Sequence, residues 1–80
     1  MWYVYALENR DKNFLYIGYS NDLKRRFKEH DERKTQSTKA YRPLKLSAYV
    51  AVTTEEKAKI LEKYFKTGSG KTILKIRILQ

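Results

Sequence analysis

Two runs of aromatic and branched side chains, residues 2–8 and 14–19, are separated only by the polar segment Asn9-Arg10-Asp11-Lys12-Asn13. Runs of this composition read as strands. A connection this short suits an antiparallel hairpin, because parallel pairing needs a long crossover. Side chains alternate along a strand, so Tyr3 and Tyr5 share one face, and Phe14, Tyr16 and Gly18 share another. Gly18 leaves space beside Tyr16 where a backbone or a ligand can come close.

The second strand turns directly into a helix. Ser20 or Asn21 can cap it, Asp22 in its first turn complements the helix dipole, and the helix is expected to run to about Arg33. With Leu23 at zero on the helical wheel, Phe27 falls at about 40°, His30 at about 340° and Arg26 at about 300°. Leu23 and Phe27 therefore pack inward. Arg26 and His30 lie on the flank that faces the preceding strand, whereas Lys24, Arg25 and Lys28 point elsewhere. A guanidinium and an imidazole beside strand tyrosines suit a phosphate. An amphipathic helix with a solvated basic face accounts for the same residues.

Residues 34–43 are polar, basic and closed by Pro43, too hydrophilic for a core, and are expected to form a loop. Residues 44–52 read as a third strand. Thr53 and Glu56 match a capping box for a second helix, whose stripe is Ala58, Leu61 and Phe65, with Tyr64 at its edge and Glu62 just beside it. Gly68 is expected to end that helix as a left-handed cap, and Ser69 to cap a final helix over residues 71–79. Ile73, Leu74, Ile76 and Leu79 are available there for burial. The class expected is α+β, a three-stranded, mainly antiparallel sheet flanked by helices in the order β-β-α-β-α-α.

Eighty residues suffice for one small domain with one modest core. No cysteine is present, so disulfides and thiolate zinc sites are excluded. No apolar run approaches the ~20 residues of a membrane span, and no signal-peptide pattern is visible, so a cytoplasmic protein without a membrane partner is expected. Eighteen basic residues against nine acidic ones give a net charge of +9, which points to a polyanionic partner. Seven tyrosines add faces on which bases can stack. Oligomeric state is not legible, and a monomer is the working expectation.

The motifs resemble those of the GIY-YIG nuclease superfamily, in particular its small stand-alone bacterial members and the nuclease domain of the excision-repair excinuclease. They are Tyr3-Val4-Tyr5, then Tyr16-Ile17-Gly18, then Arg26 with His30 four residues later, and Glu62 ahead of Gly68-Ser69-Gly70. The similarity spans nearly the whole chain. Two departures are visible: Tyr3 stands where the family name has glycine, and no asparagine follows Asn21.

The resemblance implies a metal-dependent endonuclease that hydrolyses DNA, duplex or branched. Arg26 would fork onto phosphate oxygens, a task that suits a permanently charged guanidinium. Glu62 would hold one Mg²⁺ or Mn²⁺, an ion satisfied by one or two carboxylates and several waters. Taken by itself, Glu62 reads rather as a helix-face partner for Lys66. Tyr5 and Tyr16 would position and deprotonate the attacking water, with His30 accepting the proton. Which tyrosine is the base stays open, since an unperturbed phenol with a pKa of ~10 is a weak base at neutral pH. For nucleic-acid contact the candidates are Lys24, Arg33, Lys34, Lys39, Arg42, Lys66 and Lys71, with the space at Gly18. A non-catalytic nucleic-acid-binding module of the same fold is the alternative. Gly68-Ser69-Gly70-Lys71-Thr72 imitates the end of a P-loop, but Phe65 occupies the position of the required first glycine, so nucleotide binding is not expected.

Overall fold

A computed structural model describes residues 1–32, 35–36 and 38–79. Strands β1 (Trp2–Asn9) and β2 (Phe14–Ser20) form the hairpin, followed by helix α1 (Leu23–Asp31). A single 3-10 turn (Lys39–Tyr41) precedes β3 (Lys45–Val52). Helix α2 (Glu55–Phe65) then leads to α3 (Gly68–Ile73), which runs on into a π turn (Leu74–Ile78). The expected α+β order is present. The sheet order is β2-β1-β3, and both pairings are antiparallel.

The hairpin closes through its own polar residues. Asn9 Oδ1 accepts the Lys12 amide at 3.1 Å, and Asn13 takes a left-handed φ of 51°, which asparagine tolerates better than most residues. This closure pairs Asn9 with Phe14, Leu7 with Tyr16 and Tyr5 with Gly18, bringing Tyr5 and Tyr16 to one side of the sheet, with Tyr19 on the other. On that side Tyr5, Leu7 and Leu44 pack with Phe14, Tyr16, Leu46 and the α1 residues Leu23 and Phe27. On the other, Val4, Ala6 and Ile17 pack against Ala58, Phe65 and Leu74. Between Ala6 and Leu7 the β1–β3 register shifts by one residue, leaving Ser47 without a ladder partner.

Several local expectations are corrected. The N-cap of α1 is Asp22, whose carboxylate accepts the Arg25 amide at 3.0 Å, because Ser20 instead accepts the Asp22 amide in the preceding turn. The helix ends at Asp31, short of Arg33, which lies outside the described residues. Leu44 is buried but precedes β3 rather than opening it. The cap of α2 is Thr54, which accepts from the Lys57 amide, so Glu56 is one position too early for a capping box. Thr53 accepts from the Lys57 ammonium group instead.

Gly68 is not a left-handed cap: no described glycine has a positive φ, and Gly68 begins α3. Thr67, not Ser69, caps that helix by accepting the Gly70 amide at 3.0 Å. The indispensable glycine of this segment is Gly70, where a Cβ would collide with the Tyr64 carbonyl at the end of α2. Of the final apolar residues Leu74 is buried and Leu79 half-buried, while Ile73 and Ile76 face solvent. Tyr64 is exposed as well.

The loop before β3 is not wholly outside the core. Tyr41 stacks on Phe14 with ring centres 3.9 Å apart and planes within 3°. Its carbonyl accepts from Asn9 Nδ2 at 2.8 Å, and Lys12 Nζ reaches the Ala40 and Arg42 carbonyls. Held against the hairpin in this way, the loop buries Thr38 completely, against the expectation from its polar composition.

Candidate active site

Strand β2 is an edge of the sheet, with α1 over one face and α2 over the other. Where β2 ends and α1 begins, an open cleft of about 460 Å³ is lined by Tyr5, Tyr16, Gly18, Arg25, Arg26, Glu29 and Glu62, with Trp2 and Tyr19 at its margin. Arg26 and Glu62 thus arrive from opposite faces of the sheet and share one opening.

Tyr5 is the centre of the group and is only 2% exposed. A Cβ on its ladder partner Gly18 would lie 2.6 Å from the Tyr5 hydroxyl and 3.0 Å from the Tyr16 ring. The space expected beside Tyr16 is therefore filled by the tip of Tyr5. Behind Tyr5 sits His30, fully buried, with its Nε2 3.1 Å from the Tyr5 hydroxyl and its ring centre 5.0 Å from that of Tyr16. The other ring nitrogen, Nδ1, lies 2.7 Å from Thr38 Oγ1. His30 does not line the cleft; its route to the cleft is the Tyr5 hydroxyl.

Arg26 donates to Glu29 Oε1 at 3.0 Å, and its charge is felt at Tyr5 and Tyr16. Glu62 is paired with Lys66 at 3.5 Å, one turn along α2, as its helix spacing allows. No cluster of three or more His, Cys, Asp or Glu able to hold a metal ion occurs among the described residues. Any ion at Glu62 would therefore complete its shell with water and substrate oxygens, a donor set that fits a hydrated Mg²⁺.

The family model for the GIY-YIG catalytic domain matches residues 1–75 of the chain. The chain belongs to the GIY-YIG family. A UPF0213 protein of Bacillus licheniformis is 39% identical over 70 residues, covering 86% of this chain and 71% of the relative. A UPF0213 protein of Streptococcus pyogenes serotype M5 is 40% identical over 65 residues, covering 80% and 70%. The UPF0213 protein YazA of Bacillus subtilis is 37% identical over 65 residues, covering 80% and 65%. No solved structure gives a significant match. Membership in the GIY-YIG family supports a nuclease role, hence a nucleic-acid substrate. Among the described residues no helix is long and apolar enough to cross a membrane.

Of the five residues singled out in this GIY-YIG chain, Tyr5, Tyr16, Arg26 and Glu62 reach the cleft, and His30 stands one layer behind them. Burial, only partly offset by the Arg26 hydrogen bond, pushes the Tyr5 phenol up to about 12; the neighbouring Tyr16 and Glu62 add to the rise. Burial first, then the charge of Arg26, lowers His30 to about 4 against the opposing pull of Glu29, so the imidazole is neutral at pH 7. Burial lowers the Arg26 pKa, but hydrogen bonds to Glu29 and Tyr5 outweigh it, and the guanidinium is held charged.

The nucleic-acid candidates are scattered. Gly18 forms cleft floor. Lys24 lines a separate groove with Tyr3, Phe27, Leu46 and Tyr49. Lys39 and Lys71 are exposed away from the cleft, Arg42 is half-buried in the loop, and Lys66 is engaged by Glu62. Arg33 and Lys34 lie outside the described residues. Arg25, expected to point elsewhere, does line the cleft. Two residues of the site escape the reading from sequence. Glu29 carries a signal that could have found it, as the i+3 partner of Arg26. Thr38 carries no local signal.

Proposed function

We propose that this chain is a metal-dependent endonuclease that hydrolyses phosphodiester bonds of DNA, duplex or branched. The observation that carries this reading is the convergence of Tyr5, Tyr16, Arg26 and Glu62 on one open cleft, with a neutral His30 hydrogen-bonded behind Tyr5. Arg26 receives the scissile phosphate and opposes the charge that builds on its oxygens. Tyr16 lines the water's approach. The attacking water gives a proton to the Tyr5 oxygen while the Tyr5 hydroxyl passes its own proton to His30 Nε2. The new phosphorus–oxygen bond forms as the bond to the leaving sugar oxygen breaks.

This double transfer resolves a difficulty raised by the Tyr5 environment. A phenol pushed up to about 12 is a poor source of free phenolate at pH 7, and a concerted handover never requires one. Glu62 is the residue that would hold Mg²⁺ or Mn²⁺, which supplies Lewis acidity toward phosphate oxygens when bound. Lys39, Arg42, Lys71 and Lys24 would add backbone contacts from the periphery.

One observation favours a second reading, a nucleic-acid-binding module without turnover. Arg26 and Glu62 are each already paired within the chain, with Glu29 and Lys66. Nicking of supercoiled plasmid with Mg²⁺ or Mn²⁺, with and without chelator, separates the two. Chelator-sensitive nicking is the expected result; retention of plasmid without nicking under all metal conditions establishes the module instead.

A further inference from the structure

Thr38 has no place in the reading above, yet it is one of the most thoroughly buried polar side chains in the chain, at 0% exposure. Its neighbours explain how it comes to be there. Its amide and that of Lys39 donate to the Thr35 carbonyl at 3.2 and 3.1 Å, and its own carbonyl accepts from Tyr41 at 3.0 Å. Tyr41 is in turn fixed by its stack on Phe14 and by Asn9. A turn pinned at both ends delivers one hydroxyl to one imidazole nitrogen.

We propose that Thr38 is a positioning residue that holds His30 in the Nδ1–H tautomer and so keeps Nε2 free to accept the Tyr5 proton. The inference rests on the proton path proposed above, and it follows from counting donors and acceptors. The Tyr5 hydroxyl lies 3.1 Å from His30 Nε2, and the nearby Arg26 guanidinium can only donate, so the hydroxyl proton is directed to Nε2. Nε2 must then be the unprotonated nitrogen, and in a neutral ring Nδ1 carries the hydrogen. That hydrogen points to Thr38 Oγ1 at 2.7 Å, and the Thr38 hydroxyl turns to the Thr35 carbonyl at 3.5 Å. Every donor in the chain of groups has an acceptor.

The reverse assignment, Thr38 donating to Nδ1 and Nε2–H pointing at Tyr5, turns the Thr38 hydroxyl away from the Thr35 carbonyl, takes His30 from the Tyr5 proton as an acceptor and blocks the transfer. Which nitrogen of a histidine acts is set by the hydrogen bond of the other. The groups facing the His30 ring are Tyr5 from β1, Tyr16 from β2, Thr38 from the loop, and Arg26 and Glu29 through their charges from α1. Of these, Thr38 is the group bonded to Nδ1.

His30 is the chain's single histidine, so its tautomer can be read in solution without assignment ambiguity. Nitrogen-15 NMR of the untagged, uniformly labelled chain at pH 7 should show Nδ1 protonated and Nε2 bare. Thr38→Ser should keep that pattern, and Thr38→Val, which keeps the shape but loses the oxygen, should mix or reverse it. In single-turnover cleavage Thr38→Val should slow the chemical step by ~10²-fold, the lower end of a general-base contribution. DNA affinity should be unchanged, and Thr38→Ser should recover most of the rate. A protonated Nε2 in the wild-type chain overturns the proposal even if Thr38→Val does not fold. An unchanged tautomer in a folded Thr38→Val variant overturns it equally. A wild-type chain that shows the expected tautomer but never cuts DNA overturns the nuclease reading and leaves the Thr38–His30 geometry standing.

Discussion

Tyr5 and Gly18 face each other across the β1–β2 ladder, and the Tyr5 hydroxyl occupies the volume that any side chain at position 18 would need. The contact is with the tip of a ring that is itself held by His30, so the ring cannot swing aside freely. Gly18→Ala should cost ~1–3 kcal/mol of stability through overpacking. It should also dislodge the hydroxyl from His30. Urea denaturation measures the first effect and plasmid nicking the second; a variant of wild-type stability and activity would show that the ring has room to yield.

Glu62→Gln keeps the side-chain length and the helix but removes the charge that attracts a divalent ion. Metal-dependent nicking should be abolished while circular dichroism and DNA affinity stay close to wild type. Equal nicking by the variant would return Glu62 to its role as partner of Lys66.

The adjacent arginines should behave differently although both line the cleft. Arg26 is half-buried and paired with Glu29, whereas Arg25 is exposed. Arg26→Ala should lower the single-turnover rate by ~10²–10³-fold. Arg25→Ala should weaken binding at low salt and leave the chemical step nearly intact. A dead Arg25→Ala beside a near-normal Arg26→Ala would mean the phosphate docks on the outer wall of the cleft.

The depressed His30 pKa makes stability depend on pH. Burial, followed by the Arg26 charge, sets the folded value at about 4 against an ordinary 6.5, so between these values the unfolded chain binds the extra proton. The contribution is complete above pH 6.5 and is lost as pH falls toward 4, amounting to at most ~3 kcal/mol. Urea midpoints of wild type and His30→Gln, compared at pH 7 and pH 4.5, isolate it from the carboxylates. The gap between the two proteins should shrink on acidification, and a constant gap would mean that the imidazole protonates with little penalty in the fold.

DNA affinity should fall steeply with salt, the log–log slope gaining ~0.9 for each phosphate neutralised on duplex DNA. Titrations at several salt concentrations in the presence of chelator measure this without cleavage. Flat affinity would place the binding energy in base contacts rather than in the backbone.

The parts of the site that follow from short-range periodicity were legible in the residues. Arg26 and His30 share a helix flank because they are four apart, and the tyrosines meet because a short polar turn allows only one kind of strand pairing. What stayed hidden depended on choices between near-equal neighbours or on contacts made across the fold. Thr53 and Thr54 are both competent caps by type, and nothing local in the sequence separates Thr54, which takes the role, from its neighbour. Gly68 and Gly70 look alike in sequence, yet only Gly70 lies against another helix. Thr38 sits in a run of polar residues, and its burial comes from the stacking of Tyr41 on Phe14, a contact spanning the length from the hairpin to the far loop.

Among the described residues His30 is sealed from solvent and meets the cleft through Tyr5, which gives its imidazole one outlet there. A proton accepted there leaves only by the hydroxyl that delivered it. In the proposed reaction phenol and imidazole would have to reset together before a second bond is cut, and the limbs of any pH–rate profile would then be macroscopic constants of the Tyr5–His30 couple, owned by neither residue.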